Sequence, residues 1–129
     1  MALIVQKFGG TSVANAERLR NVARIITDTY QRGNRVVAVL SAQGDTTDDL
    51  IEKAREINPS ASKREMDMLL STGEQISCSL CAMAIEAMGY PVVSLTGWQA
   101  GFRTNSGYGN SRIKRVMTER VRDELENKR

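Results

Sequence analysis

Hydrophobic residues follow two different spacings along the chain, and each spacing predicts one kind of element. Short, mostly apolar runs occupy Leu3 to Phe8, Arg35 to Ser41 and Pro91 to Leu95. Their β-branched members, and the glycine or polar segments that follow them, predict three strands. The first run predicts a buried strand. The continuity of the second run predicts a strand that is buried on both faces, as in parallel sheets.

Between these runs, apolar residues recur at the three- and four-residue spacing of amphipathic helices. Ser12 or Asn15 would cap the start of the first helix, and Gly33 suits the left-handed position just past its end. The predicted buried stripe of this helix consists of Leu19, Val22, Ala23, Ile26 and Tyr30.

Two more helices are predicted in the middle of the chain. Apolar positions from Leu50 to Ile57 predict one that stops before Pro59. The pattern from Lys63 to Met88 predicts a long helix with a weak point at residues 71–73, where the sequence reads Ser-Thr-Gly. Gly89 would end this long helix.

The C-terminal part of the chain has a different composition. Residues 96–110 are punctuated by glycine and have loop composition, with room for a short hairpin. Val121 and Leu125 stand among charges after Thr118 and predict a surface helix. Strands and helices thus alternate, which predicts an α/β domain with a mainly parallel sheet and ligand sites at the carboxyl ends of its strands.

Composition places the chain among ordinary globular domains. Its 129 residues are 41% apolar and 26% charged, which suits one domain with one core. No apolar run approaches the roughly 20 residues of a membrane span, and the N-terminus has no basic leader. We therefore expect a cytoplasmic protein without a membrane partner.

The net charge of +3 comes from a basic cluster near the C-terminus. Nucleic-acid binding is one interpretation of such a cluster. However, four acidic residues interleave with the bases, and no aromatic residue lies among them to stack on bases. A solvated helix face is the preferred interpretation, and we expect no nucleic-acid partner.

Cys78 and Cys81 have the C-x-x-C spacing of redox pairs and of half a zinc site. The chain has no histidine and no second cysteine pair, so it cannot supply four nitrogen or sulfur ligands to zinc. The pair also falls within a helical pattern. Two packed, reduced thiols are therefore expected, and no metal site.

Four segments carry candidate chemistry, and the first is KFGGTS at residues 7–12. Its two glycines follow a strand and would let the backbone approach a phosphate closely, while a following helix N-terminus attracts anions. Lys7 could stabilise a phosphoryl group in transfer. The lysine precedes the glycines, so the segment is not a Walker A motif, and a simple tight turn remains an alternative.

The other three segments offer polar groups and one aromatic residue. Residues 41–48 (SAQGDTTD) could bind a polar ligand or simply cap a helix. Glu74 could bind the ammonium group of an amino acid, or be an exposed helical glutamate. Trp98, the only tryptophan, could wall a substrate pocket or anchor a long loop.

Together these segments resemble the signatures of aspartate kinases. Residues 7–13 match K-F-G-G-T-S-V, residues 41–48 resemble S-A-M-G-D-T-T-[DE], and residues 64–74 resemble R-E-M-D-M-L-L-[ST]-x-G-E. Residues 94–101 (SLTGWQAG) and 109–113 (GNSRI) also fit the family, in the same order. Gln43 replaces the usual methionine and Ser111 the usual alanine, and neither change removes a charged or catalytic group.

The resemblance implies the amino-acid kinase fold, a three-layer α/β/α sandwich, and the ligands ATP, Mg²⁺ and L-aspartate. It assigns the ATP phosphates to the first motif, with Lys7 as the catalytic residue. It assigns the aspartate site to Ser41, Thr47 and Glu74. The phosphate-binding residues that it implies are Lys7, Phe8, Gly9, Gly10 and Thr11.

The resemblance also implies an incomplete enzyme. Residues 1–129 would form the N-terminal portion of a catalytic domain, without its nucleotide half and without ACT regulatory domains. We expect such a chain to be inactive alone, and a homo-oligomer is conceivable. The alternatives are a kinase for another small acid on the same fold and a non-catalytic module that binds an amino acid or docks on a full-length kinase.

Overall fold

The computed structural model describes residues 1–104 and 112–127. A short 3-10 helix at Gly10–Val13 follows the first strand. The strands and α-helices, in chain order, are β1 (Leu3–Phe8), α1 (Ala16–Gln31), β2 (Arg35–Leu40), α2 (Thr46–Ile57), α3 (Lys63–Ala87), β3 (Phe102–Thr104), β4 (Ile113–Val116) and α4 (Glu119–Glu126).

The first two predicted strands are confirmed, and they form a parallel pair connected through α1. The register runs from Leu3 opposite Arg35 to Phe8 opposite Leu40, so both strands end at the same level. The Ser41 N–H donates to the Phe8 carbonyl at 3.0 Å, which continues the pairing one step past β2. The loops that follow β1 and β2 therefore start side by side.

The helix ends follow the predicted capping chemistry. The Asn15 side chain accepts a hydrogen bond from the Arg18 N–H, which satisfies one of the free donors at the start of α1. Ser12, the other candidate cap, lies in the 3-10 helix. Gly33 has a φ of 95° just past the end of α1, a conformation that glycine adopts without a Cβ clash.

A single hydrophobic core lies between α1, α3 and one face of the β1–β2 sheet. Apolar side chains of α1 and α3 form its centre, and alternate residues of β2 pack against it from the sheet side. The centre of the core consists of Val13, Leu19, Val22, Ala23, Ile26, Cys81 and Ile85.

The opposite face of this sheet is exposed, which corrects the predictions that β1 is buried and that β2 is buried on both faces. Leu3, Val5 and Val39 are 49%, 65% and 47% exposed. Within residues 1–104 and 112–127, α1 and α3 cover only the core-facing side of the two strands. A third layer, where present, has to come from elsewhere.

The predicted third strand, Pro91 to Leu95, is wrong for the described structure. No strand is assigned there, and among the described residues the β1–β2 sheet has two strands only. Val92 nevertheless packs against the core. A strand exists only where a neighbour accepts and donates its backbone hydrogen bonds, and apolar sequence alone cannot supply that neighbour.

The predicted long helix is confirmed as α3, and it runs without a break through the suggested weak point. The Ser71 and Thr72 hydroxyls donate hydrogen bonds to the carbonyls of Met68 and Leu69, at 2.8 and 2.6 Å. The helix therefore accommodates these residues by local hydrogen bonding. Gly73 is buried, and its role is described below.

Helix α3 is also relevant to the expectation of a protein without a membrane partner. Within the described ranges, α3 is the one helix long and apolar enough to cross a membrane. The apolar runs of the sequence predict no segment of this kind. Core helices of water-soluble proteins meet the same criterion, so the observation is weak evidence for a membrane.

A hairpin and a final helix complete the described chain. β3 and β4 pair antiparallel, which places the predicted hairpin partly beyond residues 96–110. Residues 105–111 lie outside the described residues. α4 confirms the predicted surface helix, with Leu125 buried and Arg120 bonded to Glu124 at 2.9 Å. Trp98 is 68% exposed beneath the Arg103 guanidinium, so it is not a buried anchor.

Candidate functional site

The carboxyl ends of β1 and β2 bring the first two candidate motifs together. The Gly44 N–H, in the loop after β2, donates to the Gly10 carbonyl in the loop after β1 at 3.0 Å. The Gln43 side chain donates to the Val13 carbonyl at 3.0 Å. Two loops that are separate in sequence thus form one connected surface at the edge where parallel sheets hold their ligands.

Close packing at Gly10 leaves no space for a side chain. A Cβ on Gly10 would lie 2.9 Å from the Ala42 carbonyl oxygen and 3.4 Å from the Gly44 nitrogen. A Cβ on Gly9, by contrast, would meet no atom within 4 Å. The two glycines therefore differ: Gly10 permits the contact between loops, whereas the space beside Gly9 is open to a ligand.

The third motif joins the first two through a glycine in α3. A Cβ on Gly73 would lie 2.9 Å from the Ala42 Cβ and 3.6 Å from Thr46 Cγ2. Ala42 is itself buried. α3 therefore approaches the start of α2 as closely as its backbone allows. We call this packing of Gly73 on Ala42 and Thr46 the Gly73 contact.

Each of the three predicted aspartate-site residues is adjacent in sequence to a residue of the Gly73 contact. Ser41 directly precedes Ala42, and Thr47 and Glu74 each directly follow a residue of the contact. Ser41 is half-buried, while Thr47 and Glu74 are exposed. The fold therefore gathers residues from two motifs, more than 25 positions apart in sequence, around one close contact.

The residues predicted for the phosphates take different orientations. Lys7 is exposed, whereas Phe8 packs against the core and can offer only backbone atoms to a ligand. Thr11 is exposed in the 3-10 helix, and its carbonyl accepts a hydrogen bond from the Arg18 guanidinium at 3.0 Å. Arg18, which the sequence analysis did not single out, adds a second positive charge beside this loop.

The helix after the glycines is capped by Asn15, the second of its two predicted caps, and not by Ser12. The 3-10 helix at Gly10–Val13 intervenes, and α1 begins at Ala16 with Asn15 as its cap. The α1 N-terminus is therefore set back from Gly9 and Gly10. Attraction for an anion at the strand end would come from Lys7 and from backbone N–H groups, because this helix end is already capped.

The residues present fit an ATP phosphate group better than a bound metal. Lys7 and the open space beside Gly9 suit a phosphate chain. Within the described residues, no group of three or more acidic or cysteine side chains could hold a metal ion. Mg²⁺ would accordingly be carried mainly by nucleotide phosphates and water, as is common for this ion.

The two cysteines are free, as the sequence analysis expected. Burial raises the pKa of Cys81 to about 11, with a smaller contribution from Cys78. Burial and then the Glu74 carboxylate, one helical turn away, raise the pKa of Cys78. Thiols with raised pKa values stay protonated at neutral pH, so they are poor nucleophiles and poor metal ligands.

The surface at the strand ends is open. Shallow depressions lie elsewhere, on the outer side of α3, and one of about 340 Å³ is bordered by Thr72, Ile76 and Leu80. This depression is lined by apolar and small polar side chains without a charged group. Of the candidate residues, Lys7, Thr47 and Glu74 are exposed to solvent.

A parallel strand pair with a glycine-containing loop at its carboxyl end is a frame on which α/β proteins bind phosphate-bearing ligands. Comparison of sequences supports this class, since the profile of the amino acid kinase family matches residues 2–129. The chain belongs to the amino acid kinase family. The predicted family resemblance and the predicted α/β fold are therefore confirmed.

Within that family, the chain is similar to aspartokinases. It is 55% identical over 122 residues to the aspartokinase of Geobacillus stearothermophilus, which covers 95% of this chain and 30% of that protein. It is 55% identical over 126 residues to the aspartokinase of Mycolicibacterium smegmatis and 52% identical over 126 residues to aspartokinase 2 of Bacillus subtilis. These matches cover 98% of this chain, and 30% and 31% of the two relatives.

A solved structure agrees with this similarity. The chain superposes on the crystal structure of aspartate kinase from Synechocystis with a TM-score of 0.72 and 54% sequence identity. The superposition covers 75% of this chain and 17% of that one. The chain thus spans less than a third of the length of the aspartokinases that it matches.

Proposed function

We propose that this chain is part of an aspartate kinase, which transfers the γ-phosphoryl group of ATP to the side-chain carboxylate of L-aspartate. The product would be 4-phospho-L-aspartate, the first intermediate toward lysine, threonine and methionine. The Gly73 contact is the observation that carries this proposal. It packs the helix that carries Glu74 against Ala42, which follows Ser41, and against Thr46, which precedes Thr47.

The proposed chemistry needs alignment and charge stabilisation more than proton transfer. The aspartate carboxylate is already ionised at pH 7, so it can attack the γ-phosphorus directly without a general base. Lys7 would stabilise the charge on the transferring phosphoryl group, while Mg²⁺ neutralises charge on the nucleotide phosphates. Glu74 would hold the substrate ammonium group, and the Ser41 and Thr47 hydroxyls would orient the rest of the substrate.

The proposal extends to how this chain contributes to an enzyme. We propose that residues 1–129 form the N-terminal portion of a catalytic domain, and that the adenine site lies largely outside them. The proposed ligands are ATP with Mg²⁺ and L-aspartate, and the proposed location is the cytoplasm. We also expect assembly with further copies of the chain. We expect this chain alone to bind ligand but not to turn over.

A calorimetric titration of the chain with L-aspartate tests the proposal. Binding should be selective over L-glutamate and should weaken at least tenfold in Glu74→Ala, because the ammonium group loses its charged partner. Glu86→Ala is the matched control, since Glu86 is also exposed on α3 but lies three turns further along. Equal loss of affinity in both variants, or equal binding of both amino acids, would contradict the assignment of Glu74.

The second candidate is the one that the sequence leaves open, a non-catalytic module that binds an amino acid or docks on a kinase. Assay of phosphoryl transfer with and without a supplied C-terminal half of an aspartokinase separates the two. Activity that appears only in the mixture supports the kinase. Aspartate binding with no activity in either condition favours the module.

A further inference from the structure

We propose that Gln43 is a positioning residue that couples the phosphate loop to the aspartate loop. The phosphate loop is defined here as residues 9–13 and the aspartate loop as residues 41–47. The second part of this inference, coupling between two bound ligands, rests on the proposed function. The first part, the mechanical link between the loops, stands on geometry alone.

Three hydrogen bonds cross between the strands or loops at this edge. Two are backbone bonds, from Ser41 to the Phe8 carbonyl and from Gly44 to the Gly10 carbonyl, both at 3.0 Å. The third runs from the Gln43 side-chain amide to the Val13 carbonyl, also at 3.0 Å. Gln43 is thus the side-chain member of this set, and it reaches furthest along the phosphate loop.

The two ends of the Gln43 link are well anchored. Val13 is fully buried and belongs to the centre of the core. The backbone carbonyl of Gln43 accepts a hydrogen bond from the Thr46 N–H at 2.8 Å, in the turn that starts α2. One residue therefore connects the start of α2, and with it Thr47, to the buried end of the phosphate loop.

Because of this hydrogen bond, a displacement of one loop also displaces the other. A phosphate group bound beside Gly9 fixes the phosphate loop, and the Gln43 amide transmits that fixed position to the aspartate loop. Binding of one ligand then lowers the ordering cost for the second, which is positive coupling between the two. Methionine, the usual residue at this position in the motif that the chain resembles, cannot donate this hydrogen bond.

Gln43→Met is the informative variant, because methionine has similar length and volume and belongs to the related motif. Gln6→Met is the matched control. The Gln6 amide also donates to a neighbouring element, the Thr29 hydroxyl of α1 at 2.9 Å, and neither residue belongs to the two loops. Both variants lose one side-chain hydrogen bond, and only Gln43→Met loses the link between the loops.

The mechanical link is measured by amide hydrogen exchange in the free chain. In Gln43→Met, exchange at the Gly44 N–H should be about threefold to tenfold faster, the factor expected for one hydrogen bond. The same amide should be unchanged in Gln6→Met. Amides of Val22 and Ile26 in the core report global opening in both variants. Equal exchange at Gly44 in wild type and Gln43→Met would overturn the proposal.

The ligand coupling is measured in a full-length aspartokinase that carries this segment, by titrating L-aspartate with and without a non-hydrolysable ATP analogue and Mg²⁺. In wild type and Gln6→Met, the analogue should tighten aspartate binding several-fold. In Gln43→Met that factor should fall toward one, while aspartate affinity in the absence of nucleotide changes less than twofold. An unchanged factor in Gln43→Met would overturn the coupling. A wild-type chain that binds no aspartate would instead contradict the proposed function, and hydrogen exchange would still decide the link.

Discussion

Gly73 in α3 lies directly against Ala42 at the end of β2, with only 2.9 Å between the Ala42 Cβ and the position that a Gly73 Cβ would take. Real Cβ atoms essentially never approach this closely. The contact between α3 and the loop after β2 therefore has no room for one additional methyl group. The position of Glu74 depends on that fit, because it follows Gly73 on the same helical turn.

Gly73→Ala should separate α3 from the loop and weaken L-aspartate binding about tenfold. Overpacking costs about 1–3 kcal/mol, while alanine gains about 1 kcal/mol over glycine in a helix interior, so the net loss of stability should be about 1 kcal/mol. Urea denaturation and calorimetry measure the two effects. The double variant Gly73→Ala with Ala42→Gly moves the methyl group across the contact and should restore both quantities. Failure of the double variant to recover would show that the contact does not set the Glu74 position.

Gly10 and Gly9 should respond differently to the same substitution. Gly10→Ala places a Cβ 2.9 Å from a backbone oxygen and should destabilise the fold by about 1–3 kcal/mol. Gly9→Ala meets no atom within 4 Å at a φ of −80°, so stability should be unchanged or rise by about 0.5 kcal/mol. ATP binding, however, should weaken in Gly9→Ala if the phosphate chain lies beside that glycine. Comparable stability losses in both variants would contradict the described loop contact.

Lys7 should matter for turnover far more than for aspartate affinity. In a full-length aspartokinase that carries this segment, Lys7→Ala should lower kcat about hundredfold, the usual cost of one group that stabilises transition-state charge. The KM for aspartate should change less than about threefold. Lys53→Ala removes an exposed lysine from α2 and serves as the control. Steady-state kinetics with near-normal kcat in Lys7→Ala would remove this lysine from the mechanism.

Cys81 should make the stability of the chain depend on pH above 9. Its pKa is raised from 9.0 to about 11 by burial, so the folded state binds more protons than the unfolded state between these values. The stabilisation is complete below pH 9 and is lost as pH rises through 11, by about 2–3 kcal/mol in total. Urea denaturation of wild type and Cys81→Ala from pH 7 to 11 checks this. Their stability difference should shrink as pH rises, and a constant difference would contradict the raised pKa.

The local elements could be predicted from sequence because their signals are local. β1, the first cap and the glycine after α1 all depend on residues within one or two turns of each other, and each matches the structure. Strand pairing is different, because it needs a partner distant in sequence. The sequence alone therefore cannot distinguish the apolar run at residues 91–95 from a true strand. For the same reason it cannot show that one side of β2 is exposed.

The candidate site shows the same division. The motifs predict Ser41 and Glu74 as site residues, but they carry no information on how closely the two segments pack. The contact of Gly73 with Ala42, and the reach of the Gln43 amide to Val13, are properties of backbone approach. The departure of Gln43 from the usual motif was the one available signal for its link, and it could be understood only once Val13 was located.

The register of β1 and β2 has a consequence for the order in which the chain folds. Leu3 pairs with Arg35, a separation of 35 − 3 = 32 residues, and every other pair in the ladder has the same separation. Closing this one loop therefore aligns every pair of residues in the ladder, and the 16 helical residues of α1 shorten the loop. All the contacts between the phosphate loop and the loop after β2 lie within the first 44 residues. We expect the phosphate loop to take shape in an early-folding nucleus, with the aspartate site completed only when α3 docks.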